Sequence, residues 1–189
     1  MSLLFVICEW IVVVISFGVF FLLCLWVWST FQVKSPFFPI ARAVLADIYK
    51  ALDVKEGSVV YDLGSGDGRV LFYGAHLVPG ASYKGIEKNS FALVLFTINK
   101  WLHRKEEKTH VTIIKEDFFK HNLSDATHIF VYLSPKLLDD LLAKFENELK
   151  PGTRLVSASY QFTLRRPKME IDLGRHTYQL SRKLYVYDF

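Results

Sequence analysis

The chemistry legible in this chain begins at Asp62-Leu63-Gly64-Ser65-Gly66-Asp67-Gly68, which closes the β-branched, apolar run from Val59 to Leu63. Glycines at this spacing let a chain turn sharply and approach a ligand without interference from Cβ atoms. A helix that follows aims its N-terminal amides at the same place. The spacing is G-x-G-x-G, unlike the G-x-G-x-x-G of nicotinamide-dinucleotide sites. Two carboxylates, Asp62 and Asp67, flank the glycines; they would repel a diphosphate and attract a ligand that carries positive charge. Asp62, Gly64, Ser65, Gly66, Asp67 and Gly68 are therefore the candidate cradle. Glu87 stands 23 residues after Gly64, where a carboxylate can accept hydrogen bonds from ribose hydroxyls. Asp117 and Phe118 follow the next apolar run. The carboxylate could accept from an adenine amino group while the ring packs on the base. Each acid alone is as readily an exposed side chain at a strand end; three at successive strand ends point to a nucleoside ligand with a cationic group.

These residues need a frame to bring them together. Ile40, Val44, Leu45, Ile48 and Leu52 fall on one face of an amphipathic helix, and Gly57 marks a turn after it. Strands and helices then alternate: a strand Val59–Leu63, a helix Arg69–Val78 stopped by Pro79-Gly80, a strand Tyr83–Glu87, and a helix from an Asn89 cap to about His103. A charged stretch, Lys100 to His110, leads to strands Val111–Ile114 and His128–Leu133. Ser134-Pro135 opens the next helix as cap and first-turn residue, with Leu138, Leu141, Leu142, Phe145 and Leu149 as its core stripe. Pro151-Gly152 ends it before the strand Arg154–Ala158. Two last strands are expected near Lys168–Leu173 or Tyr178, and at Lys183–Tyr187. Repeated β-α-β order implies an α/β fold, a Rossmann-like, doubly wound, mostly parallel sheet of about seven strands with helices on both faces. Ligands bind such sheets outside the carboxyl ends of the strands, where the candidate residues fall.

The stretch from Tyr61 to Phe118 resembles the class I, seven-strand S-adenosylmethionine (SAM)-dependent methyltransferases. The resemblance implies that Asp62, Gly64, Gly66 and Gly68 cradle the methionine part of SAM, that Glu87 holds the ribose, and that Asp117 reads the adenine. A narrower likeness spans most of the chain after the N-terminal segment, carried by Pro36-Phe37-Phe38-Pro39, Val60 to Arg69, Tyr132-Leu133-Ser134-Pro135 and Leu184-Tyr185-Val186-Tyr187. It is similar to the lysine methyltransferases of the ATP synthase c-subunit and the adenine nucleotide translocase, with their prokaryotic relatives. That likeness implies a membrane-protein substrate and lysine as the acceptor. Tyr-Leu-Ser-Pro after the fourth strand departs from the Asn/Asp-Pro-Pro-Tyr/Phe of enzymes that methylate amino groups of nucleic acids, so no nucleic-acid partner is expected. No general base stands out. Tyr132 is the candidate for orienting the acceptor, against the plainer role of a core aromatic.

The first part of the chain has a different character. From Leu3 to Trp28 the only charged residue is Glu9, and Trp10 to Trp28 is apolar apart from Ser16 and Gly18. This length suits one membrane-spanning helix. Trp10 and the pair Trp26 and Trp28 would be ~24–27 Å apart along it, near the two interfaces that tryptophan prefers. The alternatives are a secretory signal, which would carry a basic start and a cleavage site absent here, and a buried core helix. All 23 basic side chains and all but one of the 19 acidic ones follow Val33. The positive-inside rule then puts the catalytic domain on the cytoplasmic side of a single-pass protein. No dense basic run suggests nucleic acid. Cys8 and Cys24, both in the apolar segment, build neither a disulfide framework nor a metal site, and no metal is expected. The expected organisation is an anchor at 1–28, a linker at 29–39 and a methyltransferase domain at 40–189. Two competing functions remain: methylation of a lipid, quinone or small amphiphile, and a SAM-binding scaffold without activity.

Overall fold

The computed structural model describes residues 3–32, 39–102, 110–174 and 183–189. The first helix, α1, runs Leu3–Gln32, and no proline or glycine interrupts the chain between Trp28 and Pro36. A 3-10 turn at Arg42–Val44 leads into α2, Leu45–Leu52. Ile40, Val44, Leu45, Ile48 and Leu52 are all buried, as the amphipathic pattern requires. The alternating part follows as β1 Val59–Leu63, α3 Arg69–Leu77, β2 Ser82–Ile86, α4 Ser90–Leu102, β3 His110–Ile114, β4 His128–Val131, α5 Pro135–Glu148, β5 Arg154–Ala158, β6 Met169–Asp172 and β7 Lys183–Asp188. His103 and Tyr178 lie outside the described residues.

The seven strands form one sheet in the order β3-β2-β1-β4-β5-β7-β6. The first five are parallel to one another, and β7 runs antiparallel to both β5 and β6. This is the expected mostly parallel, Rossmann-like arrangement. Side chains alternate across it. On β1, Val60 joins the core beneath α2 and α3, while Tyr61 and Leu63 join the core beneath α5.

The two faces are not equally clothed. One carries α2, α3 and, through Phe96, α4. On the other α5 is the one helix among the described residues, and Leu123 and Phe162 from connecting segments complete the cover. Strand β4 stops at Val131 rather than Leu133, where its pairing with Leu63 of β1 and Ser157 of β5 ends. Ser134 has the extended backbone of a helix cap, yet its side chain makes no capping bond. Pro135 at the first helical position, with its fixed φ, sets the start of α5. At α4 the expected cap is present: Asn89 Oδ1 accepts from the N–H groups of Phe91 at 2.9 Å and Ala92 at 3.3 Å.

Candidate active site

The glycine loop joins β1 to α3 at the carboxyl end of the central strand. Gly64, Gly66 and Gly68 have φ of +79°, +58° and +75°. All lie in the left-handed region that side chains disfavour. At Gly68 crowding adds to this: a Cβ there would stand 2.5 Å from the Phe96 ring of α4. The loop is pinned to β2, because Gly64 N–H donates to Ile86 O at 2.9 Å. Ser65 turns its side chain inward. A Cβ at Gly85 would meet its Oγ at 2.5 Å, and that hydroxyl is buried with no hydrogen-bond partner among the described residues.

Glu87, just past β2, folds back onto this loop. Its Oε2 accepts from Gly66 N–H at 3.0 Å, and its Oε1 accepts from the N–H groups of Lys88 at 2.8 Å and Asn89 at 2.7 Å. Each carboxylate oxygen offers about two lone-pair positions, so Oε1 is filled and Oε2 retains capacity for one more donor. Asp117 accepts from Phe119 N–H through Oδ1 at 3.1 Å and pairs with Lys88 Nζ through Oδ2 at 3.2 Å. Partial burial would raise its carboxyl pKa, but the Phe119 amide and the Lys88 ammonium outweigh that and hold it below the ordinary value. Phe118 beside it is half-buried and stacks on Phe119, ring centroids 5.0 Å apart.

The two carboxylates of the loop have different surroundings. Asp67 is neutralised by Arg69: Arg69 Nε lies 2.9 Å from Oδ1 and 3.0 Å from Oδ2, and Nη2 lies 2.6 Å from Oδ2. The same guanidinium donates through Nη1 to Ile40 O at 2.8 Å, tying the loop to the segment that enters the domain. Asn99 of α4 donates to Asp67 O at 2.9 Å. Asp62 is 3% exposed, and no described residue donates a hydrogen bond to its carboxylate. Burial pushes its pKa well above the usual carboxylate range, and the charges of Glu87 and Asp67 push it further. The attraction for a cationic ligand thus concentrates at Asp62 instead of being shared with Asp67.

Tyr132 stands half-buried after β4, against the core of the α2–α3 face, and its hydroxyl makes no hydrogen bond among the described residues. Ser159, after β5, holds a φ of +69°, and Ser157 Oγ donates to Tyr160 O at 2.6 Å in the same turn. Sequence reasoning passes over Arg69, Asn99 and Ser159. Arg69 could have been found from its spacing, since a long fork two residues beyond an aspartate can reach back in a turn. Asn99 and Ser159 carry no such signal.

Comparison with known proteins decides between the ligands this geometry admits. A family model, the ANTKMT methyltransferase domain, matches residues 62–169. The chain belongs to this family. It is 29% identical over 151 residues to a protein-lysine N-methyltransferase of Saccharolobus islandicus, covering 80% of this chain and 92% of that one. It is 28% identical to the adenine nucleotide translocase lysine N-methyltransferase of Mus musculus, covering 83% of this chain and 64% of the relative. With the Homo sapiens lysine N-methyltransferase of the ATP synthase c-subunit it shares 26%, covering 69% of this chain and 54% of the relative. The chain thus spans somewhat over half the length of these last two. Among solved structures, an RNA methyltransferase from Salinibacter ruber in complex with S-adenosylhomocysteine superposes with a TM-score of 0.70 at 28% identity, over 80% of this chain and 93% of that one.

This protein is therefore a SAM-dependent methyltransferase, and its residues fit that cofactor. SAM presents an ammonium and a sulfonium, and Asp62 is a buried carboxylate with no donor among the described residues. SAM presents ribose hydroxyls, and Glu87 Oε2 has room to accept. The left-handed glycines leave the loop free of Cβ atoms where the cofactor's methionine part would lie.

Proposed function

We propose that this protein is a membrane-anchored methyltransferase that modifies a membrane-proximal protein at lysine, its catalytic domain on the cytoplasmic side. The observation that carries the membrane part is α1. Its segment Phe5–Trp28 is 24 residues long with a mean hydropathy of 2.7, and none of it is buried in the protein. A core helix of a soluble protein would be covered, which weighs against that alternative. Lysine is supported by the names of the relatives, each a lysine methyltransferase.

The proposed roles follow from the geometry. Asp62 receives the ammonium of SAM, and the backbone of Gly64 to Gly68, with Ser65 and Asp67 at its turn, forms the wall of the cradle. Ser65 and Asp67 act by shaping the loop, since their side chains face Gly85 and Arg69. Glu87 Oε2 accepts from the ribose. Asp117 and Phe118 border the adenine. When bound, SAM supplies an activated methyl on sulfur, so the protein's task is placement of the acceptor, roughly 3–3.5 Å from that carbon. A lysine must shed its proton before attack, because its ordinary pKa is about 10.4; a desolvated position beside a sulfonium lowers that value. Tyr132, whose hydroxyl at the sheet's carboxyl edge has no partner among the described residues, orients the amine.

The test is to incubate the full-length protein, reconstituted in native membrane extract, with methyl-labelled SAM. Label on lysine of a membrane protein, located by mass spectrometry, supports the proposal. Label confined to the lipid extract overturns the protein substrate and favours an amphiphile. SAM binding with no label anywhere would leave a scaffold.

A further inference from the structure

We infer that α4 is a second membrane contact, its outer face lying in the headgroup–acyl boundary of the bilayer that α1 crosses; this rests on the proposal that α1 is membrane-embedded. A helix covering a soluble domain keeps one apolar stripe inward and a polar face outward. Helix α4 does not. Its polar residues are Ser90, Thr97, Asn99 and Lys100. Ala92 and Phe96 are buried in the domain. A second stripe at i, i+3, i+4 and i+7 spacing runs along the other side through Phe91, Val94, Leu95, Ile98 and Leu102. Toward its C-terminal end this stripe opens to the surface, Ile98 and Leu102 being 46% and 61% exposed, with Trp101 beside them 59% exposed. Elsewhere in the described domain, large exposed apolar side chains such as Leu77, Leu164 and Met169 come singly from separate elements.

What covers this face is set by α1, which packs directly against α4. Within the apolar span of α1, Leu22 and Leu25 are half-covered while the residues around them are exposed. The two are one turn apart in the half of the span nearer the domain. An element touching that end of a membrane-crossing helix sits at the bilayer surface, with its outer apolar side toward lipid. A tryptophan at the edge of the patch suits that level. The placement bears on function. Helix α4 starts at Ser90, close after Glu87 of the candidate cofactor site, and is about 20 Å long. Seating it in the boundary holds the carboxyl edge of the sheet at the membrane surface, where a membrane protein would present its lysine.

The chain has four tryptophans, Trp10, Trp26, Trp28 and Trp101, so two single-tryptophan versions of the full-length protein suffice. One (W10F/W26F/W28F) retains Trp101; the other (W10F/W28F/W101F) retains Trp26. Both are reconstituted in phosphatidylcholine vesicles brominated either near the headgroup end or near the end of the acyl chain, with SAM binding as the check on folding. The expected result is loss of Trp101 emission in both lipids, greater with the shallow bromine. Replacing Ile98 and Leu102 together by serine should then reduce Trp101 quenching and leave that of Trp26 unchanged. Quenching of Trp26 with none of Trp101 overturns the inference and leaves the anchor standing. That result would turn the patch toward a protein partner or a second copy of the chain. Absence of quenching at both positions overturns the anchor and this inference together.

Discussion

At the residue scale Asp62 is the centre of the site, because burial and the neighbouring carboxylates favour its neutral carboxyl over the charged form. A carboxyl whose folded pKa is raised binds more protons folded than unfolded between the two values. Stability therefore falls as pH rises from about 4, the ordinary carboxyl value, through the raised one. Asp62→Asn removes that cost and the attraction together. We expect a higher melting temperature for the ligand-free variant at neutral pH, with SAM affinity weakened about 10- to 100-fold, the range for losing a charged hydrogen bond. Calorimetric titrations in buffers of different ionisation enthalpy should show proton release on SAM binding in the wild type, absent in the variant. Arg69 gives a contrasting case. Arg69→Ala strands Asp67 and frees the Ile40 carbonyl, and should cost about 1–3 kcal/mol in denaturant unfolding. Arg69→Lys should recover little, lacking the planar fork. Tyr132→Phe should leave SAM affinity intact in the same calorimetry and lower the methylation rate measured with labelled SAM. The spacing of Arg69 made a pairing with Asp67 legible in the sequence, whereas the lack of a donor at Asp62 among the described residues emerges only once its neighbours are placed.

At the scale of elements, the cofactor loop and α4 form one packed unit. Phe96 fills the space beside Gly68, and Asn99 holds the Asp67 carbonyl. Gly68→Ala meets both a left-handed φ and the Phe96 ring. It should destabilise by about 1–3 kcal/mol, read by thermal unfolding, with weaker SAM binding. Adding Phe96→Leu should restore the part due to crowding and leave the part due to φ. Much at this scale was legible beforehand. The expected bounds of β1 and β5 match the structure because the apolar run of β1 ends at the glycine turn and β5 begins just after Pro151-Gly152. Asn89 was recognisable as a cap for the same local reason. The misjudged end of β4 depends on a distant contact, the pairing of Val131 with Ser157. The outer stripe of α4 was visible as hydrophobicity, yet a periodic pattern cannot say which of two apolar faces is the core.

At the scale of the whole molecule, the proposed anchor limits reach. From Val33 to Pro39 the chain spans at most ~25 Å when extended, and a domain of this size is about 40 Å across. Methylation should therefore depend on the height of the acceptor. A ladder of membrane-inserted peptides, each with one lysine displaced further from the bilayer on a stiff spacer, should show methylation by labelled SAM vanishing beyond roughly 60 Å. Uniform labelling along the ladder would contradict the tether. The strand order has a further consequence, one of timing. Among the described residues β6 pairs only with β7, and β7 also pairs with β5, so the sheet is incomplete until Lys183 to Asp188 has left the ribosome. Helix α1 emerges roughly 10–30 s earlier at ~5–20 residues per second. On the proposed anchoring, the nascent chain meets the membrane while it is still without a cofactor site, and its address is chosen before its activity exists.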